Sequence, residues 1–279
     1  MNKKGTILIM TLIIMAAVVT GIMMINEKTS KEYDFAQQLY IDTQSSFYFH
    51  SAIKIATRLL KEDDNELDSS KDDWYFLPPF KVNSFTTVSM NITPANAFIN
   101  INNLQSHNKN LSKRTENALV NLLDESRFNT DETMKKLKDE KDNFFSLKEI
   151  DFLLDLDGFS NAMHRYLTTN NDYGKININF ASEDVLNSYL PEVSDCTEDI
   201  IKHREKNPFK NITQLRDLGC ISDDIYLKIQ PYITTSSNIF VVKIEVIMYD
   251  VHRYAMVILR RSSGYIKTIK YFEGKGFYG

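Results

Sequence analysis

Residues 6–25 read TILIMTLIIMAAVVTGIMMI, and residues 26–62 continue NEKTSKEYDFAQQLYIDTQSSFYFHSAIKIATRLLKE. The first block is 20 residues without a charge. At the α-helical rise it spans about 30 Å, the thickness of a bilayer's hydrocarbon core. A secretory signal would carry a shorter apolar region with a small-residue cleavage site behind it, and neither is present. The second block has no Pro or Gly, so nothing stops the helix at the membrane surface. One continuous helix of roughly 85 Å is expected, its first half in lipid and its second half against a soluble surface. Phe35, Leu39, Phe47, Ala52, Ile55, Ala56 and Leu59 recur at helical spacing and form the expected packing face. Asp63, Asp64, Asn65 and the polar run to Asp73 end it. Lys3 and Lys4 precede the span, so the positive-inside rule keeps the first residues cytoplasmic and sends the remainder outward.

Strand signals lie far apart in the chain. Residues 82–92 alternate and carry β-branched side chains, and residues 239–249, 251–261 and 265–272 offer three more runs. In the first of these three, Lys243 and Glu245 alternate with Val242, Ile244 and Val246, which suits a sheet with one solvated face. Asp250 and Ser262-Ser263-Gly264 supply turns, so the three read as an antiparallel meander that the long helix is placed to cover. Between the strand regions, residues 104–232 are helical in pattern and rich in Asp, Glu, Lys and Asn. Candidate helices are 117–125, 131–138, 146–156, 182–189, 197–205, 212–218 and 223–229. An echo, Ile99-Asn100-Ile101-Asn102 and Ile176-Asn177-Ile178-Asn179, frames the region, with Asn102 or Asn103, and Asn179, as candidate caps of the following helices.

The 279 residues correspond to about two domains. Apolar content of 43% and charged content of 25% allow an ordinary core, and the formal charge of −4 argues against a chain built to coat nucleic acid. Two cysteines exclude a disulfide framework and a four-cysteine zinc site.

A short basic leader ending at Gly5, followed directly by an apolar helix that becomes amphipathic, resembles the leader of type IV pilin-like proteins. Common pilins have Phe at the first mature position and Glu at the fifth; here those positions hold Thr6 and Met10. One branch lacks that Glu, the minor pseudopilin K family of type II secretion systems. Ala97-Phe98-Ile99-Asn100-Ile101-Asn102-Asn103-Leu104 resembles that family's segment of alternating apolar residues and asparagines, and Trp74 stands where members often have one. Residues 145–150 with Leu156-Asp157-Gly158-Phe159 resemble a helix followed by a Pro-Gly element, Asp157 replacing the proline. Residues 175–186 (KININFASEDVL), Ile200-Ile201-Lys202-His203-Arg204-Glu205 with Pro208-Phe209 and Leu215, and residues 233–240 resemble later motifs in the same order.

The resemblance implies an α+β fold: a type IV pilin-like long helix on a small antiparallel sheet, with a large inserted helical domain containing helix-hairpin-helix-like motifs. The implied organisation is a prepilin leader (1–5), a transmembrane part (6–25), a periplasmic part of the helix (26–64), a β domain (65–103 and 236–279) and the insertion (104–235). It implies cleavage by a prepilin peptidase between Gly5 and Thr6, with N-methylation of Thr6. It implies a single-pass protein of the bacterial inner membrane with a periplasmic C-terminal domain. The partners implied are the I-type and J-type minor pseudopilins, the major pseudopilin, the peptidase and inner-membrane lipid. The implied function is a structural and assembly-initiating tip subunit in secretion across the outer membrane, not an enzyme; a type IV pilus or competence pseudopilus is the alternative owner. In pilus models the Glu of an incoming subunit pairs with the amine of the subunit above it. A tip subunit has nothing above it, so Met10 fits that place. Some members hold calcium; Asp63, Asp64, Glu66 and Asp68, or Asp195, Asp223 and Asp224, are the open ligand sets, and no other cofactor is expected.

Residues 176–233 also resemble a helix-hairpin-helix, a fold often used on DNA backbones. Its first turn, Leu190-Pro191-Glu192-Val193-Ser194-Asp195, has two carboxylates and no glycine, and the second, Leu218-Gly219-Cys220-Ile221-Ser222, has one glycine. Residues 175–235 hold 7 Lys plus Arg against 10 Asp plus Glu, a balance of −3. Phosphate binding needs the opposite sign, so protein partners are favoured over a membrane-anchored DNA receptor. Cys196 and Cys220 flank a two-helix excursion on the expected oxidising side of the membrane and are the expected disulfide. The remaining motifs lack context. Residues 274–279 spell G-x-G-x-x-G with no helix behind them, and Asp155-Leu156-Asp157-Gly158 lacks the first and last calcium positions of an EF-hand. His50, His107, His164, His203 and His252 are scattered, without metal-ligand spacing.

Overall fold

The computed structural model describes residues 3–63, 66–126, 129–140, 142–155, 158–170 and 174–274. Asp64, Asn65, Leu156, Asp157 and the glycine-rich 275–279 lie outside them, as do the side chains of Gly5 and Thr6. One helix, α1 (Lys3–Glu62), runs through both opening blocks without a break. Strands β1 (Phe80–Asn83) and β2 (Thr86–Pro94) follow it, and β7 (Ile239–Met248), β8 (Val251–Ser262) and β9 (Tyr265–Gly274) close the chain. They form one antiparallel sheet in the order β1-β2-β7-β8-β9. Strand β2 pairs with β7 from Thr86↔Met248 to Pro94↔Phe240, so everything between residues 95 and 238 is an excursion between two neighbouring strands.

The expected single strand over 82–92 is instead two strands around a turn. Asn83 Oδ1 accepts the Phe85 N–H at 2.8 Å, an Asx turn that reverses the chain. Tyr249 and Asp250, both at positive φ, make the β7–β8 turn, which suits the twist of a tight hairpin. The alternation in β7 holds: Phe240, Val242, Ile244 and Val246 are buried. With Ala255, Val257 and Leu259 of β8 they pack on Phe49, Ala52, Ala56 and Leu60 of α1 and on Trp74. The packing face of α1 differs from the expected one. Ile41, Ser45, Phe49, Ala52, Ala56 and Leu60 are buried, whereas Phe35, Leu39, Phe47 and Ile55 are more than half exposed. Every side of this helix carries apolar or aromatic residues, so spacing alone does not select the side that meets the sheet.

The excursion has its own core, containing Leu119, Leu122, Leu137, Ile150, Phe159, Leu186, Ile200 and Phe209. Its helices are α2 (Lys109–Ser126), α3 (Thr130–Asp139), α4 (Leu147–Leu154), α5 (Phe159–Met163), α6 (Glu183–Tyr189), α7 (Thr197–Lys206) and α8 (Asp223–Ile229), with 212–218 a 3-10 turn rather than an α-helix. The expected caps are corrected too. Asn100 caps the 3-10 turn Ile101–Gln105, and Ser182 caps α6. Asn102 and Asn179 turn away to hold distant backbone instead.

The Ile-Asn echo marks two copies of one local arrangement. Strand β3 (Ile99–Asn100) pairs in parallel with β4 (Leu167–Thr168), and β5 (Ile176–Asn177) with β6 (Ile233–Thr234). Asn100 Oδ1 accepts the Asn102 N–H at 3.0 Å, and Asn177 Oδ1 the Asn179 N–H at 2.9 Å. The Asn102 amide then grips both backbone groups of Phe144 (2.8 and 3.0 Å), and Asn179 grips those of Phe209 (2.9 and 3.0 Å). Glu149 accepts the Phe145 N–H where Gln214 accepts that of Lys210. Finally, Thr169 and Thr235 donate their hydroxyls to Phe145 and Lys210 carbonyls. The two units correspond at these positions and differ at one: Asn102 Nδ2 also donates to the Thr169 carbonyl, whereas Asn179 Nδ2 donates to that of Asp68, both at 3.2 Å.

Candidate functional site

The apolar half of α1 has the length and composition of a membrane span. It is the one helix among the described residues long and apolar enough to cross a membrane. Ile7, Met10, Ile14, Val18 and Ile22 lie with more than half their surface open. The hydroxyls of Thr11 and Thr20 fold back onto the Ile7 and Ala16 carbonyls at 3.2 and 2.9 Å, so no polar group within them needs water. Gly5 and Thr6 lie in the first turns of α1, and Met10 stands one turn further on.

At the other end, α1 is locked to the sheet through a buried ionic junction. Arg261 on β8 reaches both oxygens of Asp68 at 2.6 Å and Asp63 Oδ2 at 3.0 Å, and Trp74 Nε1 donates to Asp63 at 2.9 Å. Burial pushes the Asp68 carboxyl up to about 7 against the lowering pull of Arg261. The oxygens of Asp63, Asp68 and Asp72 lie within 4.8 Å of one another. That set does not fit calcium, which takes six to eight oxygens, because Asp63 and Asp68 already converge on the guanidinium. Of the second expected set, Asp195, Asp223 and Asp224 are exposed and Asp223 pairs with Arg216.

In the helix-hairpin-helix region Arg204 turns inward, while Lys175, Lys202, Lys206, Lys210, Arg216 and Lys228 are exposed. Arg204 donates to the Ile178 and Ala181 carbonyls at 2.6 and 2.7 Å, and Arg114 binds Glu192. The expected first hairpin turn is a 3-10 helix, Pro191–Cys196. That turn has two carboxylates and no glycine, and residues 175–235 are net acidic, which does not suit phosphate. Cys196 and Cys220 are brought together as a disulfide with Cα atoms 5.8 Å apart. His203 stacks on Phe209 and His252 pairs with Glu245, so these two histidines have structural partners. The one mark of the Asp68–Arg261 pair in the sequence is an Arg on the inward-facing register of β8, in line with Ala255, Val257 and Leu259.

A long apolar-to-amphipathic helix laid on an antiparallel sheet, with a helical excursion between two of its strands, defines a pilin-like α+β fold. The same fold occurs in the crystal structure of the GspK-GspI-GspJ complex from the enterotoxigenic Escherichia coli type 2 secretion system. A chain of that complex aligns over 86% of this chain and 98% of its own length, with a TM-score of 0.67 and 13% identity. No protein-family model and no curated protein matches the sequence.

Proposed function

We propose that this protein is a K-type minor pseudopilin at the tip of a type II secretion pseudopilus, with a structural and assembly-initiating role. The observation that carries the reading is the joint one: the pilin-like helix and sheet together with an inserted helical unit, in the arrangement shared with the secretion complex. Under this reading a prepilin peptidase cuts between Gly5 and Thr6, and Thr6 becomes the methylated N-terminus. The apolar half of α1 anchors the chain in the inner membrane, and everything after residue 25 lies in the periplasm. I-type, J-type and major pseudopilins are its partners, packed beside α1. The net acidic balance of residues 175–235, 7 Lys plus Arg against 10 Asp plus Glu, supports protein partners over DNA.

The test is mass spectrometry of the N-terminus after expression with a prepilin peptidase. An N-methylated Thr6 terminus is expected, and replacing Gly5 with a bulky residue should abolish it. An intact Met1 on the assembled protein would overturn the reading. Co-purification with other pilin-like subunits of a secretion system, rather than those of a pilus, separates the two possible owners.

A further inference from the structure

Two hairpin turns are pinned together at one end of the sheet. The Tyr249 N–H, in the β7–β8 turn, donates to the Phe85 carbonyl, in the β1–β2 turn, at 3.0 Å. Their rings stack with centroids 5.1 Å apart and planes 25° from parallel. Both rings stay open, Phe85 61% exposed and Tyr249 47%. Met248 and Val251 pair directly, so Tyr249 and Asp250 are the two central residues of their turn, at φ +50° and +63°. Such a turn is ordinarily filled by Asn-Gly or Asp-Gly, because both positions need the left-handed region. A bulky aromatic residue works against that turn, and here the ring it supplies is not buried in the core. A residue kept in a disfavoured conformation at an exposed tip points to a role outside the fold.

The aromatic tip lies at the end of the sheet nearer the apolar span. Arg253, early in β8, bonds Asp42 and Gln38 of α1, both at 2.6 Å, while Arg261, late in β8, reaches Asp63 beyond the end of α1. Strand β8 therefore runs along α1 in the same direction, away from the span. Asp250 precedes Arg253 by three residues, about 10 Å of strand. The tip is thus level with Tyr33, roughly 12 Å of helix beyond Ile25, where the apolar block ends. The polar headgroup layer is about 5–8 Å deep on each side of the hydrocarbon. Helices that span a membrane tilt by about 20° on average. The length of an aromatic side chain and a tilt toward the sheet close the remaining gap.

We propose that the Phe85–Tyr249 pair rests in the headgroup layer of the membrane that α1 spans, a second foothold that holds the sheet against the bilayer surface. Aromatic rings settle at this depth, and Tyr249 adds a hydroxyl that stays in contact with water. Asp250, exposed beside them, keeps the tip out of the hydrocarbon, where a carboxylate is costly. A globular protein is the lesser fit, because even a small domain, about 30 Å across, is too thick for the space beneath the tip. The contact presupposes that residues 6–25 span the membrane, as proposed above.

The experiment is fluorescence quenching of the full-length protein in phosphatidylcholine nanodiscs, part of whose lipid carries a nitroxide on its headgroup. Phe85→Trp and Tyr249→Trp each place a reporter at the tip, and the signal of the buried Trp74 is measured in the wild type and subtracted. Ser263→Trp, in the exposed turn at the opposite end of the sheet, is the reference. The tip reporters should lose most of their added fluorescence to the headgroup nitroxide, and Ser263→Trp almost none. If Tyr249→Trp does not fold, Phe85→Trp at its exposed position decides the case. Tip reporters quenched no more than the reference, or quenched more strongly by a nitroxide deep in the acyl chains, would overturn the proposal. Alkaline carbonate extraction tests the span by itself. A retained protein with an unquenched tip loses only the foothold, whereas an extracted protein loses the span and the foothold with it.

Discussion

Arg261 Nη2 sits 2.6 Å from both carboxylate oxygens of Asp68, and both side chains are buried, Asp68 completely. The pair joins β8 to the loop leaving α1, and the second Nη reaches Asp63 at the end of the helix. Breaking a buried pair strands a charge away from water. Arg261→Met leaves Asp68 and Asp63 without their cation and should cost about 3–5 kcal/mol. Urea unfolding of the detergent-solubilised protein measures it, and a loss below about 1 kcal/mol would show that the junction is not a structural lock.

The same carboxyl gives a pH dependence of definite sign. Its ordinary value is 3.8, and burial, the largest influence, raises it to about 7 in the folded protein. A raised folded value means that the native state binds the proton more tightly than the unfolded chain does. This group's contribution is therefore fully present below pH 3.8 and is lost as pH rises through about 7. Asp68→Asn should flatten stability over that window. A stability difference between wild type and Asp68→Asn that does not change with pH would contradict it.

Asn179 holds three segments together. Its amide accepts the Phe209 N–H and donates to the Phe209 and Asp68 carbonyls. Asn179→Ala orphans several buried backbone groups at once, each worth about 1–3 kcal/mol. A loss of roughly 2–4 kcal/mol is expected, with a smaller loss for Asn102→Ala, whose equivalent contacts are only partly buried. Thermal melts of the two variants, side by side, check the ranking. Equal melting temperatures for Asn179→Ala and wild type would refute it.

The long helix and the three-strand meander were legible because each is set by local pattern: an unbroken absence of Pro and Gly, and strict alternation around Val242, Ile244 and Val246. What escaped was set by partners far away in the chain. The buried face of α1 includes Ile41 and Ser45 rather than Phe35 and Leu39, because the position of the sheet, not the helix's own spacing, selects it. Asn102 and Asn179 looked like local caps, yet their partners lie 42 and 30 residues on. The Asp68–Arg261 pair spans 193 residues, and an acidic run by itself does not reveal which member will be buried. The echo of Ile-Asn pairs was visible, but that it marks two equivalent units appears only when both sets of backbone grips are compared.

Cys196 ends the 3-10 turn before α7, and Cys220 follows the turn of 212–218, 24 residues later. Closing a loop of that size stabilises by about 3 kcal/mol in the chain-entropy model. Non-reducing peptide mapping of periplasm-derived protein should find the two in one linked peptide. A Cys196→Ser, Cys220→Ser double variant should melt several degrees lower. Free, alkylatable thiols at both positions would remove the bridge from the account.

Met10 decides whether the tip assignment has a physical basis. The residue lies in the apolar part of α1, about two-thirds exposed and flanked by Ile9 and Ile14. A carboxylate there costs about 2.5–3.5 kcal/mol on insertion scales unless a positive group meets it. In a subunit placed below another, the amine of the neighbour above would supply that group. At the tip there is no such neighbour, so Met10→Glu should reduce assembly and secretion, whereas Met10→Gln, polar but uncharged, should do less harm. The comparison is read by crosslinking the subunit into its minor-pseudopilin complex and by measuring cargo release, with membrane insertion checked separately by fractionation. If Met10→Glu inserts, assembles and secretes as well as the wild type, its carboxylate has found a partner amine above it. The chain would then belong below the tip.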